Sequence, residues 1–534
     1  MTILLTLGFL LYGGFYNWCI TILGAVAAVI LLVEYRRKKT LYAIQWKSAT
    51  GLLAVLCVSP MIIGLWAIDY AENMAGILRG IVLFMTLLLV GLMTEEEKEK
   101  GLSCIPVLGA VTTVTGIVAN CSVGLRNLFW TAGRLGGFFQ YPNTCALFEL
   151  IGIIICTSKL EKKKDSFWMG ILLLLVTGLF LTGSRGILIL SMLWGAWHAK
   201  KNKKFVFPFL ILLSTFLLCG GVYAVCTGDR QNVGRIFTLL TSNSTIYGRM
   251  LYDIDALRMI ARYPAGTGYM GYYYLQQLMQ TGVYTTRFVH NDWLQLGIDY
   301  GIVALLVWIA YVVLQFRGKN RTTEKTEILL VILCGMLMDF HMQYLIIDMI
   351  LLLCVEIKIS DKKKKKPEIL ENEIFLVGII AVMTYFSVVY FAVYGGWNQT
   401  ALMLFKNETT AQMKMMNEAT NSEVADLYAD AILAHNPYVA DAWNVKAYVE
   451  AMGGNYKKAI ENKEKYLKLN RYRMTAYDSY NALIAEMEEV CLENADGVQL
   501  EYLREKEGQA EQLLEKVKSE TNRLAYRIKE QPQW

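Results

Sequence analysis

The sequence predicts an all-α, polytopic helical membrane protein, and three observations carry that prediction. Hydrophobic residues make up 55% of the 534-residue chain, only 18% are charged, and mean hydropathy is +0.36. That balance is too poor in charge for an ordinary soluble domain. The apolar residues fall in blocks, most of them near the ~20 residues a helix needs to cross a bilayer. Helices are the form such blocks take, because an isolated strand leaves its backbone unpaired in lipid. Lysine clusters, finally, recur between alternate pairs of blocks, as the positive-inside rule requires of a multi-span chain.

About thirteen spans are expected, near 2–14, 17–34, 48–69, 74–93, 101–119, 143–159, 167–182, 186–199, 205–226, 299–316, 326–341, 344–358 and 373–394. Basic connectors lie at Arg36 to Lys39, Lys98 to Lys100, Lys162 to Lys164, Lys200 to Lys204, Arg317 to Lys325 and Lys362 to Lys366. Counted through the spans, all six fall on one side, which makes that side cytoplasmic. The N-terminus is then inside, and everything after Tyr394 is outside. The chain begins in apolar segments with no basic n-region, so no cleavable leader is expected. The net charge of +6 resides in short lysine clusters, which argues against nucleic-acid binding. The eleven cysteines form no CxxC pair and lie mostly in spans, where they read as small packing residues. Cys121 and Cys226 both fall near the outer surface, but nothing in the sequence supports a disulfide between them.

The opposite face is expected to carry the loop from Asn120 to Asn143, the turn Thr182-Gly183-Ser184-Arg185-Gly186, a long loop over about 227–298, and the C-terminal region. Its basic residues, ahead of the C-terminal region, are arginines. The polar interruption from Cys226 to Tyr300 holds Arg230, Arg235, Arg249, Arg258, Arg262 and Arg287 and not one lysine, and it ends in the run Thr286-Arg287-Phe288-Val289-His290-Asn291. Guanidinium groups bind phosphate bidentately and stay charged at any working pH. Histidine is the side chain best suited to move a proton near neutrality. Arg126 and Arg134 share the first outer loop, and Arg79 lies just inside the fourth span, where a charge is costly and a functional candidate by default. The spans flanking Arg185 are short, and Gly183 and Gly186 bracket it, a pattern found where backbone lines a protein-enclosed cavity. For Arg185 the bland alternative is snorkelling to the interface.

The other histidines have ordinary explanations. His198 ends a span on the cytoplasmic side, and His435 sits at a helix end before Pro437. His341 and Asp348 read as a buried polar pair holding a hairpin together, or as cavity-lining groups. After Gly396 the composition becomes that of a soluble helical domain. Ala425 and Ala459 stand one tetratricopeptide period apart, with Trp443, Ala447, Gly454 and Tyr456 at favoured offsets. Helices are expected near 424–435, 439–452, 456–469 and 474–490, capped by one long amphipathic helix over about 498–529. The chain thus divides into 1–395, within the membrane, and 396–534, an extracytoplasmic tetratricopeptide-like domain that serves as a protein-partner surface or a structural cap.

Several stretches resemble the O-antigen ligase and polysaccharide polymerase superfamily. Arg134-Leu135-Gly136-Gly137-Phe138-Phe139-Gln140-Tyr141-Pro142-Asn143 is similar to the family's R-x-x-G-x-F-x-N-P-N element, with Tyr141 where Asn is usual. Leu181 to Gly186 looks like its T-x-S-R-G/A turn. Gly248-Arg249 through Ala256, then Tyr263-Pro264-Ala265-Gly266-Thr267-Gly268, resembles its R…A…P-x-G-x-G section, and Val289-His290-Asn291 to Gln295 with Gly301-Ile302 its H-N-x-x-L-x…G-I end. The order and spacing agree over roughly 40–360. The resemblance implies a membrane glycosyltransferase that moves a glycan from an undecaprenyl-diphosphate-linked donor to a glycan, lipid or cell-wall acceptor outside the plasma membrane, without a cofactor. It implies His290 and Arg185 as catalytic residues and Arg134, Arg249 and Asn291 as diphosphate-binding, a set that Arg126, as an outer-face arginine, and Arg79, as an intramembrane charge, are expected to join. No metal site is expected on the outer face, so arginines would take the metal's part. The alternative from another class is a flippase or transporter for the same lipids, which would need charges along a mid-membrane path and a repeat of spans. A non-catalytic anchor for the C-terminal domain would not need an arginine-only face.

Overall fold

A computed structural model describes residues 1–38, 41–202, 244–317, 322–362 and 366–534. The expected span at 205–226, together with Arg230, Arg235, Cys219 and Cys226, lies outside these residues. The described chain is almost entirely helical. The membrane-type helices are α1 (Thr2–Leu10), α2 (Asn17–Lys38), α3 (Ala49–Ile63), α4 (Tyr70–Leu92), α5 (Glu95–Ser103), α6 (Ile105–Ala119), the short α7 (Val123–Phe129), α8 (Pro142–Lys162), α9 (Ser166–Thr182) and α10 (Arg185–Lys201). Beyond 244 come α11 (Ser244–Arg262), α12 (Gly271–Met279), α13 (Asp292–Arg317), α14 (Thr323–Met336), α15 (Leu345–Cys354) and α16 (Lys366–Tyr394). Every expected span among the described residues coincides with a helix. Among the described residues, six helical stretches are long and apolar enough to cross a membrane, the continuous α5–α6 stretch among them, while α3, α9 and α15 are shorter apolar helices. Two antiparallel strand pairs are additions: Leu41–Ile44 with Ile359–Lys362, and Trp130–Thr131 with Arg134–Leu135.

Local chemistry sets several boundaries. Asp69 caps α4 by accepting from the Ala71 and Glu72 amides, both at 2.9 Å, which satisfies donors a helix start would otherwise leave open. Thr94 and Glu97 form a reciprocal capping box at α5. The end expected at 341 falls instead at Met336, and that expected at 358 falls at Cys354. Residues 337–344 between them form a compact turn with a single 3-10 segment at His341–Gln343.

The core is built around α8. Its apolar stretch is 78% buried inside the protein, against 17% for α16, whose Ile374 and Phe375 point outward. So α8 is central, and α16 shows most of its apolar surface to the surroundings, as a lipid-facing helix does. A charge-bearing side chain also sits midway along the central helix. Glu149, midway along α8, is fully buried and accepts from the Thr113 hydroxyl at 3.3 Å.

The C-terminal region continues as α17 (Asn398–Leu404), α18 (Thr409–Glu418), α19 (Ser422–Leu433), α20 (Ala440–Met452), α21 (Tyr456–Lys468), α22 (Met474–Glu493), α23 (Gly497–Lys506) and α24 (Gln509–Glu520). The long final helix expected from 498 to 529 is broken. Gly508 takes a left-handed backbone with φ +74°, a conformation that ends a helix at little cost for glycine. The chain then folds back, and the Asn522 amide bonds to the Thr281 carbonyl at 2.9 Å. This region is tied to the membrane helices at a second point, where Asp69 Oδ2 accepts from Thr409 Oγ1 at 2.7 Å and Asn436 Nδ2 at 2.8 Å.

Candidate active site

A cavity of about 510 Å³ is lined by Arg134, Arg185, Arg249, His290, Asp339 and His341, among others. Five parts of the chain deliver these groups. Arg134 follows a two-residue hairpin, and Pro142, fixed at the first turn of α8, sets Asn143 opposite it. Arg134 Nε donates to the Thr182 carbonyl and Nη2 to Asn143 Oδ1, both at 2.7 Å. Arg185 owes its position to Gly183, whose φ of +55° reverses the chain after α9 so that α10 begins at Arg185. Arg185 Nη2 donates to Thr245 Oγ1 at 2.9 Å, at the start of α11. Arg249 comes from the next turn of α11, and His290 from the segment just before α13.

Asp339 organises the centre. It lies in the turn beyond α14, and its carboxylate is 2% exposed. Oδ1 accepts from Tyr141 Oη at 2.8 Å and His290 Nδ1 at 2.9 Å, while Oδ2 accepts from Arg249 Nη2 at 2.9 Å and Asn143 Nδ2 at 2.5 Å. Burial alone would raise this carboxyl, but His290 and Arg249 outweigh it and hold Asp339 well below the usual carboxylate range. An ionised carboxylate only accepts. The shared proton therefore sits on His290 Nδ1, and Nε2 is the basic nitrogen. Phe340 and Tyr252 flank the imidazole, with ring centroids 5.1 and 5.7 Å away. The arrangement offers an oriented base beside three guanidinium groups in one cavity.

Asp339 was not singled out in the sequence. The signal was a carboxylate in a short polar break between two apolar blocks, adjoining a histidine. Ile528, Lys529 and Glu530 also line the cavity, so the folded-back C-terminal segment forms part of its wall.

The other candidates lie elsewhere. Asn291 caps α13, accepting from the Trp293 and Leu294 amides at 3.2 and 3.3 Å. Arg126 is exposed on α7. Arg79 is buried, donating to the Met342 and Gln343 carbonyls and pairing with Asp348 at 3.2 Å. His341 and Asp348 are not bonded to each other. His341 Nδ1 pairs with Thr144 Oγ1 at 3.0 Å, and burial pushes the ring down to about 4. Arg258 pairs with Asp255 at 3.5 Å, and Arg287 lines a different cavity. His198 is held between Glu327 and Glu161, both at 2.9 Å, and His435 bonds the Ala431 carbonyl at 2.8 Å.

The Pro264 to Gly268 stretch and Gly301 explain one another. The Thr267 and Gly268 amides bond to the Ile298 and Asp299 carbonyls, and the Ile302 amide to the Pro264 carbonyl. These bonds occupy a break in α13 where Gly301 has φ +86°. A Cβ on Gly301 would meet Ala265 backbone at 2.8 Å. Two of the sequence stretches singled out are therefore a backbone lock that aims the start of α13.

Residues 170–309 match the family model for O-Antigen ligase, which supports the O-antigen ligase superfamily for this chain. The match indicates, at a general level, glycosyl transfer of the ligase or polymerase type by a multi-pass membrane protein. It covers Arg185, Arg249 and His290, while Arg134 and Asp339 stand outside it. Neither a curated protein nor a solved structure matches the chain.

Proposed function

We propose that the protein transfers a glycan from a polyprenyl diphosphate to an acceptor hydroxyl, by direct displacement with inversion at the anomeric carbon. His290 Nε2 takes the acceptor proton as the acceptor oxygen bonds to the anomeric carbon. The bond from that carbon to the diphosphate oxygen breaks, and its electron pair leaves with the diphosphate. Arg185, Arg249 and Arg134 meet the charge that develops there, in a site where such groups stabilise the transition state more than the ground state. Asp339 fixes the imidazole's tautomer and anchors Arg249, so base and diphosphate contacts keep one geometry. The observation that carries this reading is the shared carboxylate: His290 and Arg249 bond to the two oxygens of Asp339 and face one cavity.

The cavity belongs to the outer face in this proposal, with the N-terminus cytoplasmic and residues 396–534 outside. Cysteine placed at Gly454 should react with an impermeant label in intact cells, and cysteine at Lys100 should not, in a Cys121→Ser, Cys226→Ser background. Labelling at Lys100 alone would reverse the orientation. The activity itself is tested by reconstitution with a lipid-diphosphate-linked glycan. Release of polyprenyl diphosphate with sugar gained by the acceptor is the expected result. Movement of intact donor across the bilayer without bond cleavage would replace the reading with a flippase.

A further inference from the structure

A second cavity, of about 490 Å³, opens beside the first and has a different character. Tyr16, Trp18, Tyr273 and Tyr394 line it. Tyr394 packs against Tyr16 and Trp18 with centroids 5.1 and 5.7 Å apart, and Tyr273 and Tyr394 remain 40% and 49% exposed. Its polar lining mixes signs: Glu72 and Glu408 with Arg287 and Lys414. Glu72 Oε1 accepts from Thr410 Oγ1 at 3.1 Å, so membrane helix α4 and C-terminal helix α18 meet in its wall. Burial and the neighbouring Glu72 push Glu408 up to about 8, so it is protonated near neutrality and can donate as well as accept.

We infer that this cavity is a glycan-binding subsite that holds a stretch of the acceptor chain away from its reacting end. A pyranose presents C–H groups on its faces and hydroxyls around its edge. Aromatic ring faces carry partial negative charge and pack against such C–H faces, and a mixed set of carboxyl, amide and cationic groups serves hydroxyls, which both donate and accept. The volume lies within the ~300–1,000 Å³ range of small-molecule sites and exceeds what one sugar ring fills. The first cavity, with three guanidinium groups against the single arginine here, suits a diphosphate better. The two cavities are adjacent: Arg287 and Phe288 line this one, and His290, two residues on, lines the other. Phe340 stands between Phe288 and His290, with centroids 5.6 and 5.1 Å away. The word acceptor rests on the transfer reading, whereas glycan binding does not.

The test uses the full chain in lipid nanodiscs. The probe is the glycan released by mild acid from the host's own polyprenyl diphosphate pool, labelled at its reducing end and followed by fluorescence anisotropy. The wild type and Phe375→Ala, a change on the outward side of α16, should bind equally. Tyr273→Ala with Tyr394→Ala should weaken binding at least tenfold, and Tyr273→Phe with Tyr394→Phe, which keeps the rings, should retain it. In a transfer assay the alanine pair should raise the acceptor KM about tenfold and leave kcat unchanged. Binding without transfer would sink the transferase reading and leave the subsite standing. No binding by the wild type at millimolar probe, or unchanged binding by the alanine pair, would overturn the subsite. Displacement of the probe by choline chloride, but not by sodium chloride, would make it a cation cage instead.

Discussion

Two arginine–aspartate pairs lie in neighbouring parts of this protein and do opposite jobs. In the Arg79–Asp348 pair, the guanidinium is spent: it bonds the Met342 and Gln343 carbonyls as well as the carboxylate, and both side chains are closed in at 8% and 12% exposure. In the Arg249–Asp339 pair, the carboxylate is spent instead. It takes Arg249, His290, Tyr141 and Asn143, while Arg249 stays 30% exposed and His290 21%. A pair whose cation is consumed holds helices together. A pair whose anion is consumed presents a cation and a base to a cavity. Residue type does not separate the two; the count of bonds on each partner does.

The comparison can be broken at either pair. The largest effect is expected from Asp339→Asn, which removes the negative charge and leaves one acceptor oxygen where His290 and Arg249 now have one each. Transfer should fall by roughly a thousandfold or more, by analogy with losing the orienting carboxylate of a catalytic histidine. Transfer within tenfold of wild type, at equal membrane abundance, would mean Asp339 is a packing carboxylate.

Arg79→Met should act on stability instead. Removing one partner of a buried pair costs about 3–5 kcal/mol, because the other charge is stranded. Membrane abundance should drop, while transfer per molecule stays within about threefold of wild type, as for a change outside the site. Adding Asp348→Leu should restore abundance. A specific-activity loss that the double variant does not relieve would bring Arg79 into the chemistry.

Arg185→Lys keeps the charge but loses the planar fork. A loss of about 1–3 kcal/mol is expected, roughly fivefold to 150-fold in kcat/KM. Near-normal turnover would reduce Arg185 to a group that holds α10 to α11 through Thr245. The smallest effect is expected at Arg126, exposed on α7. Arg126→Ala should change transfer by less than about twofold, as surface substitutions do, and a tenfold loss would extend the site onto α7.

Much of the fold was legible because a bilayer leaves few choices. Apolar blocks near span length must be helices, and each described block is one. Arg134, Arg185, Arg249 and His290 were legible as candidates by type and face, and the structure brings them to one cavity. What local sequence could not give was who bonds to whom. Asp339 is 49 residues from His290 and 196 from Asn143, and only the tertiary fold unites them. Arg79 and Asn291 looked like site residues because charge and polarity near a membrane demand a reason. Their reasons are backbone carbonyls and a helix cap. The break at Gly508 was readable in principle, since glycine commonly ends helices. The return of residues 528–530 to the cavity depends on contacts with α11 and the 281–285 loop, which no periodicity reports.

In the proposed mechanism His290, oriented by Asp339, is the base, while the arginines hold the diphosphate. That claim is tested most directly by measuring donor binding and transfer in His290→Ala and His290→Gln at equal membrane abundance. Both variants should bind donor nearly as the wild type does and transfer glycan roughly a hundredfold more slowly or worse. Glutamine can keep a hydrogen bond to Asp339 but cannot act as a base. Wild-type-like transfer by His290→Gln would contradict the claim and leave His290 as a strut between α13 and the turn after α14.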